Sequence, residues 1–146
     1  MKREKTNRPL FVLDPLLDPE WEADYITDNP EAFLKMVFAN QACEIAVDES
    51  GETIGRFSKE MMPLATRSRH LGHVCTFIAQ RTQQIDPNVR NQCTTLLCFS
   101  QSVQDSETLA IDWVDPELKN AYLLNQGEFY LKRRFKEIKK LNAFIM

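Results

Sequence analysis

Residues 43–49, Cys-Glu-Ile-Ala-Val-Asp-Glu, run an apolar segment into two adjacent carboxylates. Magnesium takes hard oxygen ligands and keeps most of its waters, so one strand-end carboxylate in its outer shell, Asp48, is enough to position it. The adjacent Glu49 can then orient a water for in-line attack on a γ-phosphate. Acids also cap strands beside loops for structural reasons alone, so the pair needs company before it means catalysis. A second apolar segment, Val74–Ala79, ends in Gln80-Arg81, and Val89-Arg90-Asn91 follows. His70, His73 and Cys75 lie close together but cross a helix-to-strand junction without a fourth ligand. They read as a helix end whose imidazoles meet the last carbonyls rather than as a metal site.

The elements that must carry these groups are legible as short apolar runs. Leu10–Leu13 reads as a buried strand stopped by Asp14-Pro15, and 16–29 as an acidic, proline-punctuated surface loop. Asp28-Asn29-Pro30-Glu31 opens a helix whose face is Phe33, Leu34, Val37 and Phe38. After the strand 43–48 and a polar loop over 50–55, residues 56–71 are helical, with Phe57, Met61, Leu64 and Ala65 on one side, a kink at Pro63 and a stop at Gly72. Strands at 74–79 and 95–99 flank a helical turn after Asp86-Pro87. Helical patterns follow at 103–112 and 115–124, then a late strand at 128–131. Uninterrupted apolar strands alternating with helices predict an α/β fold with a parallel sheet covered on both faces.

Composition sets the frame. The 146 residues suit one domain, 1–146, with a basic C-terminal tail from about 132. A net charge of −3 gives no global attraction to nucleic acid, so such contact must come from local patches. Two are available, Arg67 with Arg69, and Lys132, Arg133, Arg134, Lys136, Lys139 and Lys140 around Phe135, Ile138 and Leu141. The latter stripe, at i, i+3 and i+6, predicts an amphipathic element packed on the sheet with its lysines solvated, or a phosphate-binding patch. The four cysteines lack Cys-x-x-Cys spacing, and no apolar run reaches the length of a membrane span. The expected setting is cytoplasmic, the host cytoplasm if the protein is viral.

The stretch Arg67–Asn91, with Asp48-Glu49 before it, resembles the DNA-pumping P-loop ATPases of the HerA/FtsK type, the viral genome-packaging ATPases above all. The shared pattern is an Arg-His-x-Gly helix end, an apolar strand, a Gln-Arg sensor and an Ile-Arg-Asn turn, and the resemblance spans roughly residues 9–131. It implies Asp48 for magnesium, Glu49 for the attacking water and Gln80 as γ-phosphate sensor. Arg90, between Val89 and Asn91, stands where an arginine finger acts across a subunit boundary, with Arg81 as the second candidate. It also implies ATP and Mg2+ as cofactors once a phosphate loop completes the site, double-stranded DNA as a partner, and assembly into a homo-oligomer or with a complementary ATPase chain. The basic residues available for DNA are Arg67, Arg69, Lys132, Arg133 and Arg134.

One departure is serious. The four glycines, Gly51, Gly55, Gly72 and Gly127, cannot make Gly-x4-Gly-Lys-Ser/Thr. The family's phosphate-loop strand, which precedes the Leu10–Leu13 strand, would lie upstream of Met1, leaving a core without its first strand and phosphate loop. The expectation is then that strands pair in the order 10–13, 43–48, 74–79, 95–99, with strand donation by a partner as the alternative. The function expected is the C-terminal part of a packaging or translocating ATPase, inactive alone. The other reading is a degenerate, non-catalytic module that assembles with a complete ATPase.

Overall fold

In the computed structural model, residues 7–48 and 62–145 are described. The polar loop 50–55, together with Phe57 and Met61 of the predicted helix face, lies outside them. The chain divides into two compact units, Met1–Gln80 with Gln84–Val89, and Arg81–Gln83 with Arg90–Met146.

The first unit is built on four parallel strands: β1 (Leu10–Leu13), β2 (Tyr25–Thr27), β3 (Glu44–Asp48) and β4 (Val74–Ile78), in spatial order β2-β1-β3-β4. Helix α1 (Pro30–Phe38) starts as its sequence dictates. Pro30 supplies a preset φ at the first turn, and the Asn29 side chain accepts the Ala32 N–H at 3.1 Å. Phe33 and Val37 of α1 meet Phe11, Leu13, Cys43, Ile45, Val47 and Leu64 in one buried cluster. Val12 and Ala46, on the opposite side of β1 and β3, are buried as well, so these two strands are covered on both faces. β4 is not. Its Val74 and Ile78 are 55% and 37% exposed, and among the described residues it is an edge strand.

Strand β2 falls inside the segment expected to be loop. Asp14 explains how the chain returns there: its buried carboxylate accepts the backbone N–H of Leu16 and Asp18, each at 2.9 Å, turning the chain at the end of β1. Asp24 then accepts the Leu10 N–H at 2.7 Å, which brings Tyr25–Thr27 alongside β1. Helix α2 (Met62–Arg67) passes into a 3-10 turn, Ser68–Leu71, that stops at Gly72, where a φ of 74° favours a residue without a Cβ.

The second unit corrects the predicted strand order. β5 (Thr95–Cys98) does not extend the parallel sheet; it pairs antiparallel with β6 (Glu128–Arg133), which pairs antiparallel with β7 (Lys139–Asn142). One face of this sheet packs against α4 (Val103–Asp112) and the 3-10 segment Pro116–Leu123, burying Cys98, Leu109, Trp113, Leu118, Leu124 and Tyr130. The basic C-terminus is therefore a hairpin, not an amphipathic element with one packed stripe. Ile138 of that stripe joins the core, Leu141 pairs across to Phe129, and Phe135 stands fully exposed. A spacing of three suits a helix; in a hairpin it sends successive residues to different surroundings. The short helix α3 (Pro87–Gln92) is capped by Asp86, whose carboxylate accepts the Asn88 N–H at 2.8 Å.

Candidate active site

Parallel pairing decides which groups can share a site, because it brings every strand's C-terminal end to one rim. β3 and β4 are in register from Glu44↔Val74 to Asp48↔Ile78. Asp48 therefore ends β3 at the rim where the chain leaves β4 for Gln80. Glu49, the water-orienting candidate, lies outside the described residues. Gln80 is exposed, and its own N–H is held by the Oε1 of buried Gln84 at 2.8 Å. That leaves the Gln80 side-chain amide exposed at the rim while its backbone is fixed. Gln84 escaped the sequence reading. Its only signal is a polar residue four positions on, in the Thr82–Gln84 turn.

The two arginine candidates, both in the second unit, differ in surroundings. Arg90 is 12% exposed in its side chain, its Nε donates to Asp112 Oδ2 at 2.8 Å, and its Nη1 donates to the Thr82 carbonyl at 2.9 Å. A guanidinium so engaged is a clamp between α3, α4 and the Thr82 turn. Arg81 is 55% exposed, and its Nε lies 3.4 Å from Oδ2 of Asp105, whose side chain is 3% exposed. Ser102 caps α4 by accepting the Asp105 N–H at 3.0 Å, which places the carboxylate in the first helical turn. Among the described residues the second oxygen of Asp105 has no hydrogen-bond partner. The Ser-x-x-Asp spacing at 102–105 was the signal available for this residue.

The candidate nucleic-acid residues also separate. Arg67 lies over the Phe38 ring at 5.5 Å, and both Arg67 and Arg69 are exposed. Lys132 is buried, with its Nζ 3.1 Å from Asp115 Oδ2 and 2.5 Å from the Lys136 carbonyl. Arg134 stacks on Trp113 at 3.9 Å and donates to the carbonyls of Cys93, Asp112 and Arg90. Of the three C-terminal candidates only Arg133 points to solvent without such internal engagement.

His73 is structural. Its Nδ1 accepts the Cys43 N–H at 3.0 Å, which leaves Nε2 to donate to the Val37 carbonyl at 3.0 Å. Both ring nitrogens are thereby used, and among the described residues no group of three or more His, Cys, Asp or Glu side chains is arranged to hold a metal. A single carboxylate such as Asp48 suits magnesium only where phosphate oxygens and waters complete the shell. Burial pushes the Cys98 thiol up to about 11.

Among solved structures, the chain is similar to the genome packaging NTPase B204 from Sulfolobus turreted icosahedral virus 2. In complex with AMPPCP that structure matches with a TM-score of 0.70 and 14% identity over 91% of this chain and 82% of that one. With sulfate the values are 0.68 and 13%, over 91% and 80%. The DNA-packaging ATPase B204 from Sulfolobus Turreted Icosahedral Virus matches at 0.65 and 12%, over 91% and 82%. No family model and no curated protein matches. The likeness is one of fold, a parallel sheet flanked by helices as in these genome packaging NTPase structures. No helix among the described residues is long and apolar enough to cross a membrane.

Proposed function

We propose that this chain is the magnesium- and sensor-bearing part of a DNA-packaging or DNA-translocating ATPase, and that it turns over ATP only when a phosphate-binding strand, loop and helix complete it. The observation that carries this reading is the register of β3 and β4, which sets Asp48 and Gln80 at one rim of adjacent parallel strands. Asp48 would hold magnesium through its waters, the ion supplying charge neutralisation at the phosphates. Glu49 would orient the attacking water, and the Gln80 amide would contact the γ-phosphate. Of the two arginines, Arg81 suits action on a neighbouring subunit's nucleotide, because its guanidinium is half exposed while that of Arg90 is committed to Asp112 and Thr82. The partners this reading calls for are further copies of the chain or a complementary ATPase chain, and double-stranded DNA. The setting would be the host cytoplasm.

Two features support completion from outside these residues. No glycine in the sequence is followed by Lys-Ser/Thr, so backbone N–H groups and a lysine to cradle the β- and γ-phosphates are lacking. Strand β4 is an edge strand among the described residues and leaves Val74 and Ile78 uncovered on one face, which suits a further strand beside it and a helix over that face. The missing loop also favours a second reading, a non-catalytic module within an ATPase assembly. Phosphate release separates the two. On the first reading the purified chain is inactive, and adding a polypeptide with the phosphate loop yields magnesium-dependent turnover that Glu49→Gln abolishes. A complex that assembles yet stays inactive selects the second reading, and Glu49-dependent turnover by the chain alone removes both.

A further inference from the structure

The β6–β7 hairpin concentrates positive charge in an acidic protein. Residues 132–140 hold six of the chain's 18 Lys and Arg and one of its 21 Asp and Glu, a local charge of +5 within a net of −3. Lys132 and Arg134 face inward, as described above. Arg133, Lys136 and Lys139 are exposed and make no ion pair among the described residues, and Lys140 sits 3.5 Å from Glu128. The opposing acid in the loop is Glu137, also exposed.

Pairing register sorts these cations. Leu131 faces Lys139 across the hairpin and Thr95 faces Arg133, so Thr95, Leu97, Leu131, Arg133 and Lys139 share the side of the sheet turned away from the packed core. Leu97 on that face is 57% exposed. At the tip stands Phe135, fully exposed and held at a φ of +62°, a backbone region that a bulky residue rarely occupies. Nothing in the packing of this unit uses the ring. A sheet face with cations along it and one aromatic ring at its end matches a polyphosphate chain carrying stackable bases. The same unit also exposes Leu97, Phe144 and Ile145, so an anionic bilayer is the competing partner, which the vesicle arm of the test below separates from nucleic acid.

We propose that the exposed face and tip of the β6–β7 hairpin bind a nucleic-acid strand, with Arg133, Lys136 and Lys139 on phosphates and Phe135 on a base or sugar. The proposal does not rest on the nucleotide-site reading, because none of these residues takes part in that site. The test is fluorescence anisotropy with labelled single-stranded and duplex 20-mers across 50–200 mM salt. Three phosphate contacts give a slope of log affinity against log salt of about −2 on single strands and nearer −3 on duplex. Lys136→Glu with Lys139→Glu lowers affinity for both forms at least tenfold and flattens the slope by about 1 to 2. Phe135→Ala weakens the single-stranded form about tenfold and spares the slope, if the ring stacks on a base. An equal, small loss on both forms assigns the ring to the sugar. All three positions are exposed, and circular dichroism of the variants should match the parent. Affinity unchanged in the double charge reversal overturns the proposal, as does binding to phosphatidylserine vesicles without binding to either oligonucleotide.

Discussion

Replacing Arg134 by Ala tests whether the basic C-terminus is partly a structural device. Its guanidinium reaches the Cys93 carbonyl at 3.2 Å, the Asp112 carbonyl at 2.8 Å and the Arg90 carbonyl at 3.4 Å, and lies 3.9 Å over Trp113. These carbonyls close the C-terminal ends of α3 and α4, where a cation also meets the negative ends of two helix dipoles. Hydrogen bonds from a charged donor contribute about 1.5–3 kcal/mol each. The longest of the three counts for little, and the carbonyls can recruit water once the side chain is gone. With the stacked ring worth about 0.5–1 kcal/mol, the expected loss is about 3–4 kcal/mol. Arg134→Lys keeps the charge but not the planar fork, so about half the loss should remain. Urea unfolding followed by Trp113 fluorescence, in a Trp21→Phe background, reads this directly. At about 2 kcal/mol per molar urea the Ala variant shifts the midpoint down by about 1.5–2 M. A shift below about 0.3 M, or a loss of DNA affinity without any shift, would show that Arg134 serves a ligand instead.

Other outcomes follow from the same contacts. His73→Ala leaves the Cys43 N–H and the Val37 carbonyl buried without partners, so thermal unfolding should fall by the equivalent of about 2–5 kcal/mol. The Cys98 thiol is raised from 9.0 to about 11 by burial, so its protonated form is favoured by folding. Stability from this group is intact below pH 9 and is lost as pH climbs from 9 to 11, by about 2–3 kcal/mol in all. Cys98→Ala should flatten the alkaline limb of a denaturation-against-pH series, and Cys98 should resist alkylation at pH 8 while unfolded protein reacts. Arg81→Ala leaves the buried Asp105 carboxylate without its cation and Arg90→Ala strands Asp112, so both should lower the urea midpoint, Arg90→Ala by more because its guanidinium also holds the Thr82 carbonyl. Equal destabilisation by the two arginine variants would remove the distinction drawn between them.

What could be read in the sequence was what neighbouring residues decide. The Asn29-Pro30 helix start, the stop at Gly72 and the strands at Leu10–Leu13 and Glu44–Asp48 rest on local chemistry, and they stand where expected. Tyr25–Thr27 was hidden because three residues among acids carry almost no periodicity. The direction of Thr95–Cys98 depends on a partner strand some 30 residues later, which an apolar run of four cannot announce. The same holds for the candidate sites. Asp48 and Gln80 are marked by their place at strand ends. Whether an arginine is a clamp or a probe depends on Asp112 and Thr82 for Arg90, 22 and 8 residues away, and on Asp105 for Arg81, 24 residues away. Lys132 and Arg134 look like tail cations until Asp115 and Trp113 fold against them.

Calorimetric titration of magnesium-ATP addresses the central claim most directly. The chain by itself should take up no nucleotide at micromolar concentrations. Joined to a polypeptide that supplies a strand, phosphate loop and helix, it should bind one ATP per completed site, and Asp48→Asn or Gln80→Ala should each weaken that binding about tenfold. Tight binding by the chain alone, or binding by the completed assembly that ignores both substitutions, would contradict the assignment of the β3–β4 rim.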